Sequence, residues 1–248
     1  MRLRKSILKR LAQMRHPNGF FIAREMGAHW LLDHRNFVDR QFGVFHEFES
    51  GQIEALFASS PKPYDAFLDI GANFGLYAIL AAHRGFAEEI VAFEPDPRNF
   101  GQLNANLYLN GMTRSVHARQ EAVSAGNGSV SLSLHAGQST GKSRIGPGGA
   151  DAVTVPCVSI DSQFDWSGRS LALKIDVEGH ELAVIEGMKR TLSANDCFLQ
   201  VEIFPENHSA VDAALRASGC TMVSRIDSDF YYRTEHERRT VREPDATA

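Results

Sequence analysis

The sequence predicts an α/β fold: a doubly wound, mostly parallel sheet with an antiparallel C-terminal hairpin strand. Three observations carry this. From Pro63 onward, short apolar runs alternate with helical stretches, the pattern of a parallel sheet covered on both faces. The run Phe67-Leu68-Asp69-Ile70-Gly71-Ala72-Asn73-Phe74-Gly75-Leu76 reads as strand, glycine turn and helix, the first half of a βαβ unit. Near the end, 220–226 and 229–234 are two strand-like runs separated only by Asp227-Ser228, a hairpin signal.

The elements follow in order. Met1 to Arg15 holds six basic residues and no acid, with Leu3, Ile7, Leu8, Leu11 and Met14 roughly on one helical face. Such a helix either docks on the domain or makes weak contact with an anionic surface such as a membrane. Residues 16–63 are rich in aromatics, among them Phe20, Trp30, Phe42 and Phe48, which read mainly as core. Gly51 to Ser59 reads as a helix stopped by Pro61 and Pro63. Residues 1–60 are thus expected to form a helical or irregular extension that either caps the sheet or walls a substrate pocket, and 61–234 the main domain.

Within that domain the expected pattern is strand 66–70, helix 75–84, strand 89–94, helix 97–110 and strand 116–119. A hairpin-like stretch over 129–134 and 152–158 comes next, then strand 171–177, helix 180–191, strand 197–203 and helix 206–218. The polar tail 235–248, with Pro244, reads as disordered.

Composition narrows the function. The 248 residues carry a formal net charge of -4, against the basic footprint of a nucleic-acid binder. No apolar run reaches the ~18–20 residues that span a bilayer, and no secretory core follows the basic start, so a cytoplasmic setting is expected. Cys157, Cys197 and Cys220 form no CxxC pair and read as small core residues. Nothing in the sequence fixes the oligomeric state.

Four pieces carry chemistry. Gly71 and Gly75 bring backbone and helix N–H groups toward a nucleotide-like ligand. A dinucleotide fingerprint wants a second glycine where Asn73 stands, a mark against NAD. Asp69 suits a cofactor bearing an amine or sulfonium. Glu94, in Phe93-Glu94-Pro95, stands 23 residues beyond Gly71 at the tip of the next strand, where a carboxylate accepts ribose hydroxyls. Lys174-Ile175-Asp176-Val177-Glu178-Gly179-His180-Glu181 crowds acids, a lysine and a histidine onto another strand end. Glu202 ends the strand after it.

Together these motifs resemble the FkbM family of S-adenosylmethionine-dependent methyltransferases, over roughly 64–206. The Lys174–Glu181 run is the most specific of them. The resemblance implies a seven-stranded Rossmann-like sheet and O-methylation of a hydroxyl on a sugar, polyketide or similar small molecule. On this reading Asp69, Gly71, Asn73, Gly75, Glu94 and Asp176 contact the cofactor. His180 or Asp176 is the base, and Glu202 binds the acceptor or orients the base. Alternatively Asp176 and Glu202 hold a Mg²⁺ that lowers the hydroxyl pKa.

The rival readings are an NAD-dependent oxidoreductase and a non-catalytic scaffold. Ala136-Gly137-Gln138-Ser139-Thr140-Gly141-Lys142-Ser143 mimics a phosphate loop, but the glycines and proline after it cannot open a helix. It reads instead as a flexible loop near the site mouth, in the manner of a lid.

Overall fold

The computed structural model describes residues 2–135, 141, 143–146 and 152–234. In chain order they form α1 (Arg2–Arg15), β1 (Phe20–Glu25), β2 (Ala28–Asp33), α2 (Phe37–Arg40), a π-helical turn (Gln41–Phe45) and α3 (Ser50–Phe57). Then come β3 (Tyr64–Ile70), α4 (Leu76–Arg84), β4 (Ala87–Phe93), α5 (Pro97–Leu109) and β5 (His117–Arg119). A small-strand region follows: β6 (Ala122–Val123), β7 (Gly128–Ser133), β8 (Arg144–Ile145) and β9 (Ala152–Val158). The rest is α6 (Ile160–Gln163), β10 (Ser170–Ile175), α7 (Glu181–Glu186), α8 (Lys189–Ala194), β11 (Asp196–Glu202), α9 (His208–Ala217), β12 (Cys220–Ile226) and β13 (Asp229–Thr234).

The main sheet has seven strands in the order β12-β13-β11-β10-β3-β4-β5. All neighbours are parallel except β13, which runs antiparallel to both β11 and β12. The expected closing hairpin is therefore the antiparallel edge of the sheet. β3 is apolar and buried almost throughout, as a central parallel strand must be. Phe67 packs with α4, α5 and the N-terminal segment on one face. Leu68 and Ile70 pack with α7, α8 and α9 on the other.

The chain winds one way through β3, β4 and β5 and the other way through β10 and β11. The winding reverses between β3 and β10, so a crevice opens at their carboxyl ends. Ile70 pairs with Ile175 and Asp69 with Lys174, which sets the glycine turn directly beside Asp176.

Three expectations change. The N-terminal extension holds a β-hairpin as well as helix. β1 and β2 flank Met26-Gly27, both at positive φ as a two-residue hairpin turn requires. Its Trp30 and Leu32 join the same core as Phe74 and Leu103. The 129–134 and 152–158 stretches do pair antiparallel, but in a separate four-stranded sheet ordered β6-β9-β7-β8. The helix expected over 180–191 is broken into α7 and α8 at Gly187. A side chain on Gly187 would lie 2.1 Å from the Ser124 carbonyl oxygen, so the chain bends where that backbone crosses.

The three cysteines are buried and free, and no described helix is long and apolar enough to cross a membrane. The tail 235–248 and most of the phosphate-loop mimic lie outside the described residues.

Candidate active site

The crevice at the sheet switch is a cleft of about 580 Å³ including its open mouth. Phe93, Leu132 and Ile145 give it apolar walls, and Asn73, Glu94 and Asp176 give it polar groups.

Glu94 lies one residue beyond β4 and is 5% exposed. Its Oε2 accepts the Asn73 N–H at 2.7 Å and its Oε1 accepts the Asp96 N–H at 2.8 Å. Burial nevertheless pushes its pKa up to about 8. Asp96 then caps α5, accepting from the Arg98 N–H with Pro97 as the next residue. The Ser143 hydroxyl donates to Asp96 at 2.7 Å and so ties the small-strand region to the cleft rim. Asn73 sits at φ +52, and its buried Oδ1 has no hydrogen-bond partner among the described residues.

Gly71 lines the cleft, but the cause of the glycine lies on its other side. A Cβ there would fall 1.8 Å from the Asp176 carbonyl oxygen, at φ +85. Gly75 and Asp69 do not line the cleft. A Cβ on Gly75 would meet Leu103 Cδ1 at 2.4 Å, so that glycine admits α5. Asp69 is 1% exposed, and its Oδ2 accepts the Ala78 N–H of α4 at 2.9 Å. Burial pushes Asp69 up to about 6, against the nearby Lys174 charge.

Beside the cleft the strand ends build a charged network. Lys174, only 6% exposed, holds Asp176 at 2.9 Å and lies 4.8 Å from the centre of the Tyr77 ring. Burial works against its charge, yet the carboxylates of Asp176, Glu49 and Asp69 keep its pKa above the ordinary lysine value. Glu202 is hydrogen-bonded to Asp176, and that negative charge, with burial, raises its pKa so that it holds its proton. Ser228 donates to the same carboxyl at 3.0 Å. Tyr77 donates to Glu49 at 2.8 Å, and Gln200 donates to Asp229 at 2.7 Å.

His180 stands apart from the cleft lining. Its Nε2 pairs with Ser124 Oγ at 2.9 Å, and burial lowers its pKa. Of Asp176 and Glu202, offered above as Mg²⁺ ligands, Asp176 already pairs with the Lys174 ammonium and Glu202 holds its proton. No group of three or more His, Cys, Asp or Glu among the described residues is arranged to hold a metal. The donor set thus does not fit Mg²⁺.

Of the expected site residues, the cleft gathers Gly71, Asn73, Glu94 and Asp176. Glu202 joins them through Asp176. Asn99, Glu49 and Tyr77 were missed. Asn99, three residues into the helix after Asp96, hydrogen-bonds Glu94 and could have been found from its place on the first turn of α5. Glu49 comes from the extension and carries no local signal.

A family model described as "Methyltransferase FkbM domain" matches residues 69–221. A curated relative named as a hexuronic acid methyltransferase, AglP of Haloferax volcanii, is 29% identical over 151 residues. That match covers 60% of this chain and 58% of the relative, less than two thirds of its length. Among solved structures, the methyltransferase FkbM of Methylobacillus flagellatus superposes with a TM-score of 0.49 at 16% identity, over 71% of this chain and 49% of that one. A ribosomal protein L11 methylase from Lactobacillus delbrueckii gives 0.47 at 14% identity, over 76% and 79%.

Proposed function

Because the chain belongs to the FkbM methyltransferase family, we propose that it is a cytoplasmic S-adenosylmethionine-dependent O-methyltransferase. Its acceptor is a hydroxyl on a sugar or similar small molecule, in keeping with the sugar acid named for the Haloferax relative. The observation that carries the reading is Glu94, a buried carboxylate on the cleft wall whose two oxygens are aimed by backbone N–H groups.

The residues fit the cofactor. Each Glu94 oxygen keeps a lone pair beyond its backbone bond, and two vicinal ribose hydroxyls need two such acceptors. The unmatched Asn73 Oδ1 would accept from a cofactor donor. Phe93, Leu132 and Ile145 offer apolar contact to a purine. When bound, S-adenosylmethionine supplies a methyl group made electrophilic by its sulfonium.

Asp176 is the base in this proposal. It lines the cleft and is 26% exposed, so it can meet an acceptor hydroxyl, whereas His180 lies on Ser124. It takes the hydroxyl proton as the oxygen is methylated, a contribution of about 10²–10⁴ in rate. Lys174 holds the carboxylate in place, and Glu202, already protonated, shares the resulting charge change. Contact of α1 with an anionic membrane surface is a second, weaker partnership of the same proposal. It rests on the exposed Leu3, Ile7, Leu11 and Met14.

Thermal unfolding with S-adenosylhomocysteine, S-adenosylmethionine and NAD tests the cofactor. Ligand at a hundredfold excess over Kd should stabilise the chain by about 2.7 kcal/mol for the first two and not for NAD. Stabilisation by NAD alone would sink the proposal. Transfer of a labelled methyl group to a panel of hydroxylated metabolites then tests the acceptor.

A further inference from the structure

Lys174 is a buried ammonium at the end of β10, and a buried cation needs both compensating charge and a fixed place. Asp176 accepts a hydrogen bond from it at 2.9 Å. A second contact is the Tyr77 ring, whose centre lies 4.8 Å from the Lys174 nitrogen, within cation–π range. The ring helps to fix the ammonium, and the ammonium fixes the Asp176 carboxylate.

Tyr77 belongs to α4, but its far end is held from the N-terminal extension. Its hydroxyl donates to Glu49 at 2.8 Å and accepts from Gln200 at 3.2 Å. Burial, with the Glu49 charge beside it, pushes the hydroxyl well above the ordinary tyrosine pKa, so it keeps the proton it donates. Phe57 of α3 stacks on the same ring, with 6.4 Å between centres. The Gln200 amide also donates to Asp229 at 2.7 Å. Glu49 is thus the acceptor that aims the hydroxyl.

The backbone that delivers Glu49 is strained. The π-helical turn ends at His46, at φ +56, and Glu49 follows at φ +42 before opening α3. A left-handed φ is costly for a residue with a Cβ, and such strain gathers where function fixes a side chain. Glu49 also acts on Lys174 directly. Burial opposes the ammonium's charge, and Asp176, then Glu49, then Asp69 sustain it. Asp69 is held by the Ala78 N–H, whereas Glu49 comes from outside the stretch 69–221 that the family model matches.

We propose that Glu49 is a positioning residue for the proposed base: through Tyr77 it holds the Lys174 ammonium on Asp176, so that the N-terminal extension completes the reaction centre. The inference rests on the methyl-transfer reading for its purpose, but its first test does not depend on turnover.

That test reads the Lys174 ammonium by NMR in the full chain carrying isotope-labelled lysine, assigned by its absence from Lys174→Arg. A buried, hydrogen-bonded ammonium exchanges protons with water slowly. Glu49→Ala should speed that exchange about tenfold. Glu49→Gln, which keeps an oxygen for the Tyr77 hydroxyl, should restore most of the protection. Tyr77→Phe, which keeps the ring and removes the hydroxyl, should reproduce Glu49→Ala and provides the test if that variant does not fold. The double variant should exchange no faster than either single one, because both cut one chain of contacts. Unchanged exchange in both single variants, additive effects in the double one, or a loss of protection that only follows each variant's loss of global stability in denaturant would each overturn the assignment.

The second test is transfer of a labelled methyl group from S-adenosylmethionine to the panel of hydroxylated metabolites. Glu49→Ala should lower kcat about tenfold, with acceptor KM and cofactor Kd within about twofold, and should cost nothing further in an Asp176→Asn background. Loss of cofactor affinity in place of kcat, or an equal further loss without Asp176, would overturn the positioning role. No transfer by the wild-type chain would instead count against the methyltransferase reading, while ammonium exchange would still decide whether Glu49 holds Lys174.

Discussion

The Lys174 ammonium lies 2.9 Å from the Asp176 carboxylate, and the residues stand two apart at the end of one strand. Strand alternation puts them on one side of the sheet. The register of β10 against β3 and β11 then brings Asp69 and Gln200 level with Lys174. The parallel sheet thus assembles one buried cation, two acids and an amide from three separate stretches of sequence.

This pairing sets the first prediction. Asp176→Asn removes the proposed base while keeping its shape, and should cut turnover about 10²–10⁴-fold with cofactor affinity changed little. His180→Ala deletes a ring bonded to Ser124 outside the cleft lining. It should leave turnover within a few-fold and cost on the order of 1 kcal/mol in stability. Single-turnover rates on both variants, with cofactor Kd measured alongside, decide between them. A collapse in His180→Ala with Asp176→Asn near normal would reverse the assignment.

Glu94 ties cofactor binding to pH. Its folded-state pKa is raised to about 8 by burial, while the unfolded value is that of an ordinary glutamate. The folded chain therefore holds a proton that the unfolded chain gives up between those values. Stability from this group is present below the unfolded pKa and is lost as pH rises toward 8. Ribose hydroxyls favour the ionised carboxylate, so cofactor binding below pH 8 should release a proton and tighten as pH rises to about 8. Calorimetry in buffers of different ionisation enthalpy should detect that proton. Glu94→Gln should abolish its release and weaken binding by about 1.5–3 kcal/mol, the usual weight of a hydrogen bond to a charged group.

The winding of the sheet was legible because each strand–helix unit carries its own apolar run and breaker. Glu94 and Asp176 were legible because they end such runs. The roles of Asp69 and Gly75 were not, because a motif gives the position of an acid or a glycine but not the direction it faces. Asp69 serves the Ala78 N–H and Gly75 admits Leu103, both contacts made across the fold. The β1–β2 hairpin was missed although Met26-Gly27 punctuates two alternating runs. Its aromatics signal a core but not the strands that carry them. Glu49 had no signal at all, since its burial depends on Tyr77, twenty-eight residues away.

Gly71 distinguishes a structural glycine from a ligand-binding one. Gly71→Ala places a Cβ 1.8 Å from the Asp176 carbonyl oxygen at φ +85. The left-handed backbone and the forced strand separation together should cost about 3 kcal/mol. For a chain of this size that is a fall in Tm of roughly 6–12 °C. The loss should appear in the free protein. A variant as stable as the wild type without cofactor, but unable to bind it, would show that the glycine serves the ligand alone.

The last prediction concerns α1. Its inward face carries Leu8 and Ala12, and Lys5 is anchored on Glu47 and over the Phe45 ring. That leaves Leu3 at 75%, Ile7 at 50% and Met14 at 78% exposure along the outer face, with Arg4, Lys9 and Arg10 exposed beside them. The first forty residues hold nine Lys and Arg against three acids, whereas the remainder holds seventeen against twenty-seven. An apolar stripe on a basic segment of an otherwise acidic chain matches an anionic lipid surface, each cation near it contributing about 1 kcal/mol. Flotation with vesicles containing phosphatidylserine should therefore carry the protein upward at low salt, and neutral vesicles should not. Replacing Leu3 and Ile7 with Ser, on the exposed face, should abolish flotation without lowering Tm. Concentration-dependent dimerisation lost in the same variant, with no flotation on either vesicle, would assign the face to a second copy of the chain instead.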